Sequence, residues 1–191
     1  MTPKEELRRA VLARRGSRPA ADRERAGRAL ASHGVAAWSA TRRVAAYLSV
    51  GTEPPTRELL DGLHDAGVEV LLPVVTADAL DWAAYAGPSS VLPGRFGLLE
   101  PTGPRLGLRA VEGVDAVIVP ALAVDRAGNR LGRGRGFYDR ALADVRVPVT
   151  AVVFDEEVVA TVPVEPHDRP VTGILAPGGP MPVDRPAPMP G

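Results

Sequence analysis

The 191-residue sequence contains no cysteine. Disulfides and thiolate chemistry are therefore excluded. Lysine is nearly absent too: Lys4 stands alone against 22 arginines. Net charge is also missing, because 23 acidic residues balance 23 basic ones. A neutral chain has no overall electrostatic pull toward nucleic acid or an anionic membrane, and neither is expected as a partner. No apolar stretch approaches the ~20 residues of a membrane span. The N-terminal segment is charged and lacks the apolar core of a secretory signal. No internal repeat occurs. These absences point to a cytoplasmic protein with a single domain over residues 1–172. Residues 173–191 are so rich in Pro and Gly that they are expected to stay disordered.

What is present concentrates between Gly128 and Arg140, which reads GNRLGRGRGFYDR. Gly132, Gly134 and Gly136 alternate with Arg133 and Arg135, and Arg130 and Arg140 flank them. Upstream lies an apolar run, Asp115 to Asp125, expected as one buried central strand. Downstream, FYDRALADV is expected to start a helix. Glycines between a strand and a helix allow positive φ and close approach of a ligand. Their N–H groups, with the helix dipole, form a nest for an anion. Arginine adds forked donors matched to phosphate oxygens. Asp139 would repel a phosphate unless Mg²⁺ lay between them. The loop thus reads as a site for a nucleoside triphosphate with magnesium. It is neither a P-loop nor a dinucleotide fingerprint. A solvated turn and an RNA-binding segment remain the plainer readings.

Around the loop the chain alternates helices and strands. Thr2, Pro3 and Glu5 form a helix start, with Leu7, Ala10, Val11 and Arg14 as the inward stripe. Lys4 and Arg8, four apart, share a face. A second helix is expected from Pro19 to Ala40, interrupted near Gly34, with Ala26, Leu30 and Ala37 inward and Trp38 in the core. Arg43 to Val50 reads as a strand. A helix from Pro54 follows, with Leu59, Leu60 and Leu63 inward and Gly67 as its stop. Val68 to Val75 completes a βαβ unit, so its two strands should be parallel. Leu80 to Tyr85 and Pro148 to Asp155 also read as strands, and Gly87 to Gly107 as a long loop with a turn at Pro93-Gly94. Glu53 falls past the carboxyl end of the first strand, where open α/β sheets place ligands. Solvent exposure is its plainer fate. Trp82 reads either as core or as a ring for stacking.

The run VPALAVDRAGNRLGRGRGFYDRAL (Val119 to Leu142) resembles the signature of the 5-formyltetrahydrofolate cyclo-ligases, VPgxAFDxxGxRLGxGxGYYDR. Val124 and Phe137 depart from it, each keeping an apolar body. Weaker matches extend the resemblance from Lys4 to Val171. FGLLEP (Phe96 to Pro101) resembles the family's FGI-x-EP, and PVEPHD, with Glu165, His167 and Asp168, its P-x-E-x-H-D run.

The resemblance implies an α/β fold of three layers, a mostly parallel sheet with helices on both faces, like the sugar-phosphate isomerases and CoA transferases. It implies ATP-dependent conversion of 5-formyltetrahydrofolate to 5,10-methenyltetrahydrofolate, with ATP and Mg²⁺ required. In the family mechanism the formyl oxygen attacks the γ-phosphorus, N10 closes the ring on the activated carbon, and phosphate leaves. Lys4, Arg8, Arg130, Gly132, Gly134, Gly136, Phe137 and Tyr138 are then candidates for the nucleotide. Leu48, Glu53, Trp82, Arg133 and Phe137 are candidates for the folate, within the pattern Ser49, Glu53, Thr56. Arg133, Arg135 and Tyr138 are the catalytic candidates. Asp139 and Asp168 are the candidates for magnesium. A monomer acting on a small molecule is expected. The alternatives are a non-catalytic folate- or nucleotide-binding protein and an isomerase or transferase on the same sheet.

Overall fold

Thr2 opens α1 (Pro3–Ser17) with a reciprocal cap: its hydroxyl accepts from the Glu5 N–H, and the Glu5 carboxylate accepts from the Thr2 N–H. The inward face is rotated from the expected one. Val11 and Arg15 are buried, whereas Ala10 and Arg14 are exposed. The stripe therefore runs Lys4, Arg8, Val11, Arg15, at spacings of four, three and four. Leu7 and Val11 pack inward as expected, and Arg15 joins Val11 because it finds a buried partner. The computed structural model describes residues 1–93, 99–165 and 168–184.

Next comes α2 (Ala20–Trp38), which passes Gly34 without a break. A Cβ at Gly34 would lie 2.4 Å from Leu59 Cδ1. Glycine here lets a second helix approach and does not stop the first. Ala26 and Leu30 face inward, Ala37 is exposed, and Trp38 packs half-buried against the core. The approaching helix is α3 (Arg57–Asp65), whose Leu59, Leu60 and Leu63 are fully buried.

The strands are β1 (Arg43–Ala45), β2 (Glu69–Val75), β3 (Leu80–Tyr85), β4 (Val91–Pro93), β5 (Leu99–Pro101), β6 (Ala116–Pro120), β7 (Ala123–Asp125), β8 (Arg130–Leu131), β9 (Val149–Val152), β10 (Val158–Val159), β11 (Gly173–Ala176) and β12 (Gly179–Pro182), with α4 (Phe137–Ala141) after β8. The main sheet has the order β12-β11-β9-β6-β1-β2-β3. Its interior pairs are parallel, and β3 and β12 close the edges antiparallel. The fold is α/β, with helices flanking a mostly parallel sheet. Among the described residues no helix is long and apolar enough to cross a membrane.

Four expectations need correction. The first strand stops at Ala45, so residues 46–50 leave the sheet toward the site. The apolar run Asp115 to Asp125 makes two strands: β6 ends at Pro120, and β7 joins a separate sheet, β10-β7-β8. Residues 173–182 are not a disordered tail but a hairpin at the sheet edge. Pro180 and Pro182 stand at alternate positions of the edge strand, where a missing N–H costs no ladder bond. Finally, the loop of 87–107 contains the short pair β4–β5. The turn at Pro93-Gly94, residues 96–98 of FGLLEP, and His167 lie outside the described residues, as does the rest of the tail from residue 185.

The small sheet has a positioning role. Its residues Ala123 and Leu131, with Leu122 just before β7, pack with Val11 and Val162, and Leu7 lies alongside. This contact lays α1 across the small sheet, next to the chain leaving β8.

Candidate active site

Parallel strands release the chain on one edge of the sheet, where irregular backbone and helix ends meet. Here that edge carries a cavity of about 1260 Å³. Its walls are α1, residues 47–53 beyond β1, residues 120–122 at the end of β6, the glycine loop, α4, and Glu165 with residues 168–170.

Beyond β1 a tight turn presents Glu53. Thr56 Oγ1 donates to the Tyr47 carbonyl at 2.8 Å and accepts from the Ser49 N–H at 2.9 Å, while the Thr56 N–H donates to Ser49 Oγ at 3.1 Å. This explains the Ser49-Glu53-Thr56 pattern: the two hydroxyls tie the turn, and the acid sits at its tip. Glu53 is only 7% exposed, against the plainer expectation for a loop glutamate. One carboxylate oxygen accepts from the Val50 N–H at 2.9 Å. The other is reached by Arg133 Nη2 at 3.0 Å and Nε at 3.1 Å. Leu48 lines the cavity beside it.

In the glycine loop, Gly134 has φ +90° and Gly136 φ +66°, values that L side chains rarely adopt. Gly132 has no positive φ, so its role is space, not strain. Arg8 Nε donates to the Gly132 carbonyl at 3.0 Å, fastening α1 to the loop. Arg130 is buried and pairs with Asp139 at 2.7 Å, its guanidinium 5.9 Å from the Tyr138 ring. Arg135 is exposed on the cavity wall. Phe137 is half-buried under the Arg140 guanidinium. Tyr138 keeps its proton to unusually high pH: burial raises its pKa, and the negative charge of Glu53 adds to this against the opposing Arg130. The helix after the loop, α4, has only five residues. Its dipole contributes less than the expected longer helix would have. No side chain caps it, so Asp139 is not its N-cap.

Lys4 reaches the far side of the cavity. Its ammonium lies 2.7 Å from Asp168 and 3.1 Å from Glu165. Desolvation lowers its pKa, but the two carboxylates outweigh that and raise it above the ordinary lysine value.

The structure thus brings together the predicted residues, with one exception. Trp82 is fully buried in the core and does not line the cavity. Of its two readings the core one is realised, because β3 pairs with β2 and turns the indole under the sheet. Arg15 and Tyr47 also line the cavity and were not singled out from the sequence. The signal for Arg15 was available: it extends the Lys4–Arg8 stripe by seven residues.

Does the donor set suit magnesium? Among the described residues no group of three or more His, Cys, Asp or Glu would hold a metal alone. Asp139 and Asp168 are single carboxylates on one cavity, each paired with a cation. Mg²⁺ takes one or two carboxylates and completes its shell with water and phosphate oxygens, so the set fits a metal that arrives with a polyphosphate.

Comparison with known proteins identifies the family. The 5-formyltetrahydrofolate cyclo-ligase family model matches residues 1–177. A 5-formyltetrahydrofolate cyclo-ligase of Mycolicibacterium smegmatis is 44% identical over 182 residues, covering 91% of this chain and 93% of the relative. The Escherichia coli K12 protein of that name is 32% identical over 140 residues, covering 70% and 77%. The NMR structure of Aquifex aeolicus 5,10-methenyltetrahydrofolate synthetase superposes with a TM-score of 0.84 at 26% identity, covering 100% of this chain and 97% of that one. With the family model spanning most of its length and a relative of that identity over nearly all of both proteins, this chain belongs to the 5-formyltetrahydrofolate cyclo-ligase family.

Proposed function

We propose that the protein is a cytoplasmic enzyme that converts 5-formyltetrahydrofolate to 5,10-methenyltetrahydrofolate at the expense of ATP, releasing ADP and phosphate. The observation that carries this reading is the Arg133–Glu53 pair. It joins the glycine loop to the turn beyond β1, across 80 positions of sequence. On this reading a phosphate-side element and a folate-side element face each other in one cavity.

The chemistry requires that proximity. A formamide carbon is a weak electrophile and its oxygen a poor leaving group. Transfer of the γ-phosphoryl group to the formyl oxygen turns that oxygen into a phosphate leaving group. N10 then bonds to the formyl carbon and gives up its proton to solvent or to the phosphate, the carbon–oxygen bond breaks, and phosphate departs with the oxygen. The protein's task is to hold the two substrates in line and spread the phosphoryl charge. Gly134 and Gly136 expose backbone N–H groups for the phosphates. Lys4, Arg8, Arg130 and Arg135 supply positive charge around them. Arg133 stands between the two substrates and can leave Glu53 for a phosphate. Glu53 is then free to accept from the pterin N3–H and 2-amino group, which form a paired donor edge. Mg²⁺, held by Asp139 and Asp168, would neutralise charge on the phosphate oxygens. Tyr138 remains a neutral donor at the junction.

The test is direct. Purified protein is mixed with 5-formyltetrahydrofolate and MgATP, and methenyl absorbance is followed in the near ultraviolet. Product should form only with nucleotide and divalent metal together. Tight folate binding without turnover would instead favour a binding protein on this fold.

A further inference from the structure

A buried polar atom without a partner is rare in folded proteins and calls for a reason. Among the described residues, the Tyr47 hydroxyl is one: it is buried and makes no hydrogen bond to protein. Tyr47 is 4% exposed and contributes to the cavity wall. The backbone around it is held firmly, since its carbonyl accepts from Thr56 in the turn that presents Glu53. Tyr47 is therefore placed by the same structure that places Glu53.

The two groups are chemically complementary. Burial, reinforced by the charge of Glu53, holds the Tyr47 phenol protonated, so at neutral pH it retains its proton as a donor. Glu53 offers only acceptors. A donor and an acceptor on one cavity wall match a ligand edge that carries an acceptor beside a donor. The pterin ring has such an edge, with its 4-oxo group adjacent to N3–H. We propose that the Tyr47 hydroxyl is a substrate-binding donor to the pterin 4-oxo oxygen, working beside Glu53. This rests on the reading of Glu53 as the pterin acceptor. The hydroxyl is covered, so engagement requires the cavity wall to rearrange. The Arg133–Glu53 pair lines the same cavity, and the Arg133 side chain is 53% exposed.

Tyr47→Phe tests this with two readings of opposite sign. Removing an unpaired buried hydroxyl takes away a desolvation cost, so the free variant should melt at the same temperature as the wild type or higher. Losing a hydrogen bond to the substrate should raise the KM for 5-formyltetrahydrofolate about tenfold, with the KM for ATP within about twofold. Calorimetry with 5-formyltetrahydrofolate alone should show the same about tenfold loss of affinity. The proposal is overturned if folate affinity stays within about twofold of wild type. It is equally overturned if the folate and ATP constants shift together, or if the variant melts lower, since the hydroxyl would then be part of the scaffold. Failure of the reaction itself is a separate outcome. Wild-type protein that binds folate more tightly than Tyr47→Phe, yet makes no methenyl product, would refute the enzyme and leave the Tyr47 contact standing.

Discussion

The two ends of α1 use ion pairs of opposite character. Near its C-terminal end, Arg15 and Glu157 are each about 1% exposed and meet in two parallel contacts of 2.7 Å. Arg15 also donates to the Ala121 carbonyl, 106 positions away, and Glu157 also accepts from the Phe154 N–H. Arg14 and Arg18 bind Glu156 alongside, and Arg18 lies 3.9 Å over the Phe154 ring. Near the other end, Lys4 pairs with Asp168 and Glu165, and Glu165 is half exposed. A guanidinium fork locked to a carboxylate is costly to break, whereas a compact ammonium on a partly wet carboxylate exchanges readily. One end of the helix is an anchor. The other is a set of partly exposed charges, which the proposed function assigns to a polyphosphate and its metal.

The sharpest way to break this comparison is at the anchor. Arg15→Met strands the Glu157 charge in the interior and should cost about 3–5 kcal/mol in denaturant unfolding. Arg15→Met combined with Glu157→Met should recover most of that, because a buried pair and an apolar substitute are nearly equal in stability. Recovery will be incomplete, since the Ala121 carbonyl and Phe154 N–H lose their partners. A single-variant cost under about 1 kcal/mol would show that the two ends do not differ.

A smaller effect, on turnover and not on stability, is expected at Asp139. Asp139→Asn keeps the shape and removes the charge, so activity at fixed Mg²⁺ should fall at least ~10-fold, with partial recovery at higher Mg²⁺ and little change in melting. Full activity at low Mg²⁺ would make the Arg130–Asp139 pair structural, like Arg15–Glu157.

The smallest effect belongs to Lys4. Lys4→Ala should change stability by less than about 1 kcal/mol while raising the KM for ATP several-fold. The pH dependence has a definite sign. The folded-state pKa of Lys4 is raised, so its small stabilisation is fully present below the ordinary lysine value of 10.5 and is lost only as pH rises through the folded value. The stability difference between wild type and Lys4→Ala should therefore be flat from pH 6 to 9. A difference that grew toward pH 9 would contradict the ion pair.

Local rules made much of this readable in sequence. The Thr2–Glu5 cap and the Leu59, Leu60, Leu63 stripe depend on neighbours within one or two turns, and both stand as read. The glycine loop was readable because positive φ restricts the residue type at Gly134 and Gly136. What was not readable depends on distant partners. Arg15 turns inward because Glu157 lies 142 positions away. Gly34 permits a helix contact that a local reading takes for a break. The edge hairpin of residues 173–182 tolerates its prolines because, among the described residues, no strand pairs with its outer edge. Trp82 is aromatic and near the site in sequence order, yet register with β2 decides which side it faces.

The long reach of α1 also bears on the order in which the protein is made. While the ribosome is still adding the middle of the chain, α1 can form by its own capping, but Arg15 has no acceptor and Val11 no small sheet to rest on. Closing a loop of that length costs entropy before any contact repays it. The helix made first is thus expected to dock late, once Glu157 has emerged. Until it docks, Arg8 cannot fasten the glycine loop, and a nascent chain with most of its sheet formed would still have one wall of the cavity missing.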